Sequence, residues 1–212
     1  MKFNKLAPIT AIALGASMLS QAAFADWSAN VGLVSDYHFR GIQQTESASA
    51  SAGVDFEQDG FYAGVWTAEL EDGLEVDLYG GYSAELESGL GLTLGYTSYQ
   101  YTGDFDSAYN EINLGLSYSF VSLDYAIGEW DGEVGNEAAT EGKYSVATVT
   151  FEHDGFYATL GKYGREFDGE YGEFGYGTDV AGFDLGVAFV VSGNDLDDSE
   201  SLYFSIGKSF SL

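Results

Sequence analysis

Cysteine is absent from the 212 residues, proline occurs once (Pro8), and histidine occurs only at positions 38 and 153. Without thiols there is neither a disulfide framework nor a thiolate metal site. With two histidines far apart in the chain, imidazole ligand sets are excluded as well, so no cofactor is expected. No stretch reaches the apolar length that a membrane-spanning helix needs. Bases are scarce too: seven Lys and Arg stand against 34 Asp and Glu, a net charge of −27. Nucleic acid is excluded as a partner, since almost nothing is available to neutralise phosphate. So large a charge can mark disorder, but 16 Tyr, 15 Phe and 3 Trp carry too much apolar area for that. Charge and aromatic surface must be segregated.

Residues 1–25 read as a targeting segment. Lys2 and Lys5 precede an apolar run from Leu6 to Leu19, broken by Pro8, Thr10 and Ser17, and Ala23-Phe24-Ala25 closes it. This is the layout of a bacterial secretory signal, with cleavage expected after Ala25, leaving 26–212 as one domain. That domain retains Arg40, Lys143, Lys162, Arg165 and Lys208 and no proline, which suits uninterrupted strand ladders.

What is present is alternation. Leu74, Val76 and Leu78 alternate with Glu75, Asp77 and Tyr79; Ile112, Leu114 and Leu116 with Glu111, Asn113 and Gly115; Phe183, Leu185 and Val187 with Asp184 and Gly186. Period two marks strands with one apolar face. Twelve such runs lie near 27–38, 47–57, 61–70, 74–86, 90–101, 108–120, 122–130, 143–153, 156–165, 173–180, 183–192 and 200–212. The seam at Phe120-Val121 is the least marked. Connections after the second, fourth, eighth and tenth runs are short (QDG, ESG, HDG, AG). Most of the others are long and acidic, such as TGDFDS and GNDLDDSE. Short turns at one end and long loops at the other predict a transmembrane antiparallel up-and-down β-barrel of 12 strands in the bacterial outer membrane.

A repeat supports that number. FEQDGFYAG at 56–64 recurs as FEHDGFYAT at 151–159, with seven of nine residues shared. As hairpin turns after the second and eighth strands they lie six strands apart, the spacing of a 6 + 6 duplication, and Asp-Gly tolerates the positive φ such turns require. The register past each turn is open: Phe61, Ala63 and Val65 face lipid, or Tyr62, Gly64 and Trp66 do. The second is expected here, since Tyr and Trp favour the interfacial girdle. The closing run LYFSIGKSFSL puts Leu202, Phe204, Ile206, Phe210 and Leu212 on one face and resembles the terminal strand read by the barrel-assembly machinery, which usually ends in Phe or Trp where Leu212 stands here. Lys208 shares that face, and at mid-depth it would cost roughly 2–4 kcal/mol.

With the strands placed, NVGLVSDYHFRGIQQT (30–45), GFYAGVW (60–66) and DLYGGY (77–82) resemble the TorF-type family of proteobacterial outer-membrane porins. The Ser-Asp-Tyr-x-Phe-Arg-Gly segment is the most specific part. The resemblance implies an outer-membrane porin of undefined substrate.

Candidate pore-lining residues are Asp36, His38, Arg40, Asp55, Glu57, Glu75, Asp77, Glu111, Asp124 and Asp184, inward by alternation. Asp36, His38 and Arg40 on one face of the first strand form either an ion filter or a structural ion-pair ladder. Catalysis is not expected: Ser35 points away from His38, and a nucleophile needs its base within hydrogen-bond reach. Asp195, Asp197, Asp198 and Glu200 are a weak candidate for a surface cation, though without the calcium-loop spacing. The function expected is passive diffusion of small hydrophilic solutes, with cations preferred; a non-conducting structural or adhesive barrel is the alternative.

Overall fold

The structure is a computed structural model in which residues 26–132, 142–196 and 198–212 are described. The expected signal segment lies outside them. The strands are β1 (Asp26–Val34), β2 (His38–Phe39), β3 (Ile42–Gln43), β4 (Ser49–Gln58), β5 (Phe61–Glu69), β6 (Leu74–Glu85) and β7 (Leu90–Tyr101). They continue as β8 (Tyr109–Tyr118), β9 (Val121–Trp130), β10 (Gly142–His153), β11 (Phe156–Arg165), β12 (Glu170–Val180), β13 (Phe183–Ser192) and β14 (Glu200–Ser211). Twelve of them, β1 and β4 to β14, form one closed antiparallel barrel, while β2 and β3 make a separate two-stranded sheet. Closure runs through β1, which pairs with β14 on one side (Ser28 opposite Ser211) and with β4 on the other (Asp26 opposite Glu57).

The short connections are set by residues that accept positive φ. Asp59 and Gly60 (φ 52° and 86°) and Asp154 and Gly155 (φ 51° and 83°) build the same two-residue turn in both copies of the repeat, as hairpins of this length demand. Ser119 takes φ 60°, so the β8–β9 turn forms at Ser119-Phe120 without a glycine. All these turns lie at one barrel end, and the longer links, including 35–48, 102–108 and 193–199, lie at the other.

Two expectations are corrected. Because the turn holds only Asp59 and Gly60, Gln58 pairs with Phe61 and Glu57 with Tyr62. Tyr62, Gly64 and Trp66 therefore share the lumen face with Asp55, and Phe61, Ala63 and Val65 meet lipid; Phe61 is 62% exposed and Trp66 only 5%. The second copy behaves alike, with Phe156 and Leu160 outward and Tyr157 buried. The first strand also ends sooner than expected, at Val34, and the chain then turns into the barrel.

Outside, apolar side chains such as Leu78, Leu94, Ile112, Leu114, Leu160 and Phe204 are exposed around the wall. This is the lipid-facing band of an outer-membrane barrel. At the short-turn rim, aromatic pairs Phe61–Tyr82 and Phe156–Tyr176 form a girdle (ring centroids 4.9 and 4.6 Å apart). Lys208 lies on this outer face near the same rim, its amine 4.6 Å from the Phe183 ring centre and 5.6 Å from that of Phe210.

Candidate functional site: the lumen and its inward hairpin

The lumen is organised by the segment after β1. At Arg40 and Gly41 (φ 49° and 84°) the chain reverses, pairing His38 with Gln43 and Phe39 with Ile42. Its base is tied by the Tyr37 carbonyl, which accepts from Gln44 N (2.7 Å), and by Thr45 Oγ1, which accepts from Tyr37 N (2.9 Å). Tyr37, His38 and Thr45 are buried. The hairpin therefore sits inside the barrel, not over its mouth.

Its side chains reach the wall in several directions. Arg40 donates two hydrogen bonds to Glu111 on β8 (2.9 and 2.8 Å), the bidentate geometry that makes Arg–carboxylate pairs strong. Glu111 also accepts from Tyr99 Oη (2.8 Å), Tyr144 Oη (3.0 Å) and Asn113 Nδ2 (2.6 Å). Tyr37 Oη donates to Glu75 on β6 (2.8 Å), and Tyr163 Oη to the Arg40 carbonyl (3.2 Å). His38 stacks on Tyr203 of β14 (5.5 Å between centroids), while its Nε2 lies 2.8 Å from Asp36.

Tyrosine and carboxylate recur through the rest of the lumen. Asp55 accepts from Asn30 Nδ2 (3.2 Å) and from Tyr79; Glu173 accepts from Tyr157 and from Tyr203 Oη (3.0 Å). Three of these rings, and that of Tyr171 on β12, are directly opposite a glycine on the neighbouring strand: Tyr79 on Gly64, Tyr144 on Gly128, Tyr171 on Gly161 and Tyr157 on Gly175. A Cβ on any of the four glycines would come within 2.0–2.5 Å of the ring. The missing side chain is what lets each ring lie against the wall.

Glu75, Asp77 and Glu111 are buried against the hairpin. Asp55, Glu57, Asp124 and Asp184 are half-buried on the lumen face. Asp36, His38 and Arg40 do not share a strand face. Asp36 lies in the link between β1 and the hairpin, with His38 Nε2 2.8 Å from its carboxylate, and Arg40 of the hairpin pairs with Glu111. Asp77 Oδ1 and His38 Nδ1 are buried with no hydrogen-bond partner among the described residues. The hydroxyls of Ser35 and Ser201 donate to Asp36 (2.7 and 3.2 Å). Of the weak cation candidates, Asp197 lies outside the described residues, and among the described residues no cluster of three or more metal-ligating side chains occurs. Glu173 was missed by the sequence reading, although its alternation with Phe174 would have placed it inward.

Among curated proteins, none matches this chain in sequence. In structure, it is similar to a chain solved in work on the in-meso crystallization of membrane proteins. That match has a TM-score of 0.62 at 10% identity and covers 88% of this chain and 84% of that one. Weaker similarity links it to Acinetobacter baumannii OccAB3 (TM-score 0.43, 14% identity, 86% of this chain) and to a BenF-like porin from Pseudomonas fluorescens Pf-5 (0.39, 11%, 84%). This chain spans only 60% and 58% of those two proteins. At 10% identity, the first of these matches speaks to fold alone. Closed barrel and apolar belt together place the protein in the bacterial outer membrane. A family model matches residues 20–203, and the chain belongs to that family, Gcw_chp, described as bacterial proteins of unknown function.

Proposed function

We propose that this barrel is a narrow porin through which small hydrophilic solutes diffuse passively, with cations preferred over anions. The sign of the lumen carries the reading. Asp55, Glu57, Asp124, Glu173 and Asp184 face it, whereas the inward base Arg40 is already matched by Glu111. A passage lined by one sign concentrates counter-ions and repels co-ions. The TorF-type resemblance over 30–45, 60–66 and 77–82 supports the porin part of this reading alone. The partners it implies are outer-membrane lipid, the barrel-assembly machinery and small cations or neutral solutes. Neither a catalytic group nor a cofactor enters it.

Planar-bilayer recording in a potassium chloride gradient tests the proposal: a reversal potential on the cation side is expected, and one on the anion side defeats it. A second reading, a non-conducting structural or adhesive barrel, is favoured by the depth of the hairpin, since Tyr37 is 3% and His38 5% exposed. Silence from correctly inserted protein, with the hairpin present or removed, would select that reading.

A further inference from the structure

We infer that the hairpin 37–45 is a displaceable plug, latched shut by Arg40 on Glu111, and that conduction requires its release. This rests on the porin reading above. Around the twelve-stranded wall, β6 and β12 are six strands apart, and so are β8 and β14. The hairpin touches all four: Glu75 through Tyr37, Tyr171 through Gly41, Glu111 through Arg40, and Tyr203 through His38. Two crossing diameters of the lumen are thus bridged by one short element.

Its attachment is of the kind that can be undone as a unit. The hairpin forms its own sheet, outside the barrel ladder, and its turn is closed by bonds within itself. What ties it to the wall is side chains, so displacement breaks no strand pairing. The wall is also prepared for its departure. If Arg40 leaves, Glu111 keeps the donors Tyr99, Tyr144 and Asn113, so the buried carboxylate is not stranded. A bidentate charged pair at the hairpin's tip is the strongest single contact in the set, which makes it the latch.

The test is single-channel recording of wild type, Arg40→Gln, Arg40→Lys, Glu111→Gln, and a variant with residues 37–45 replaced by a Gly-Ser linker. Each is first shown to be folded by heat-modifiable gel migration. Wild type is expected to be mostly closed and the linker variant open. Removing either latch partner should raise open probability roughly tenfold, the scale of a typical coupling between two states. Lysine at 40 should fall between, keeping charge but losing the fork. If wild type and linker variant conduct equally, the hairpin is no plug and the porin reading survives. If the linker variant opens but Arg40→Gln and Glu111→Gln stay as closed as wild type, the latch is wrong. If the folded linker variant is silent, the porin reading falls and this inference falls with it.

Discussion

Tyr171 shows how single residues shape this lumen. Its ring is held between Gly161 on β11, where a Cβ would come within 2.0 Å, and Gly41 of the hairpin, where one would come within 2.4 Å of the Tyr171 Cβ. The ring couples wall and plug, and it needs a glycine on both sides. Gly161→Ala should therefore push Tyr171 inward against the hairpin and destabilise the barrel by about 1–3 kcal/mol, the usual cost of overpacking. Gly172→Ala, whose Cβ would meet Leu160 at an ordinary 3.5 Å, is the control and should change stability by less than about 0.5 kcal/mol. Urea unfolding in lipid vesicles checks both; equal effects would show that the ring is free to move aside. The sequence hides this logic, because Tyr62 and Trp66 read as interfacial anchors when taken alone. Only the glycines opposite their neighbouring tyrosines, brought together by strand pairing, reveal that the large rings belong inside.

At the scale of elements, strands and turns were legible because a one-sided strand must alternate and a two-residue turn must tolerate positive φ. The segment 35–40 was misplaced on the first strand for the same reason that the rest was found. Alternation reports an extended backbone, and His38-Phe39 is extended, but in a different sheet. Period two does not say which sheet a strand joins; Arg40 and Gly41 at positive φ decide it. Lys208 is a second case in which position along the element outweighs residue type. It lies near the end of β14 over two rings of the girdle, where a lysine costs only about 0–1 kcal/mol. Lys208→Leu should thus leave unfolding nearly unchanged, whereas Leu114→Lys, mid-strand on β8 and outward, should lose roughly 2–4 kcal/mol. A large gain from Lys208→Leu would mean that the amine is buried in hydrocarbon after all.

For the whole molecule, charge distribution is the property with functional reach. The barrel sets inward carboxylates apart from an apolar exterior, but those facing inward are not equivalent. Glu75, Asp77 and Glu111 are packed under the hairpin, each 2% exposed or less, so neutralising them would test packing before it tested permeation. Glu57, Asp124 and Asp184 lie on the lumen face toward the short-turn end and stay half-buried, with Asp124 nearest the hairpin, within the field of Arg40. Ions passing a released hairpin would meet these three next. Changing them together to Gln, Asn and Asn should move the reversal potential in a potassium chloride gradient toward zero. The effect should be largest at low salt, where the screening length reaches about 30 Å at 0.01 M. Heat-modifiable migration should be unaffected, since among the described residues none of the three hydrogen-bonds to the hairpin. An unchanged reversal potential in the folded triple variant would assign cation preference to the acidic outer loops rather than to the lumen.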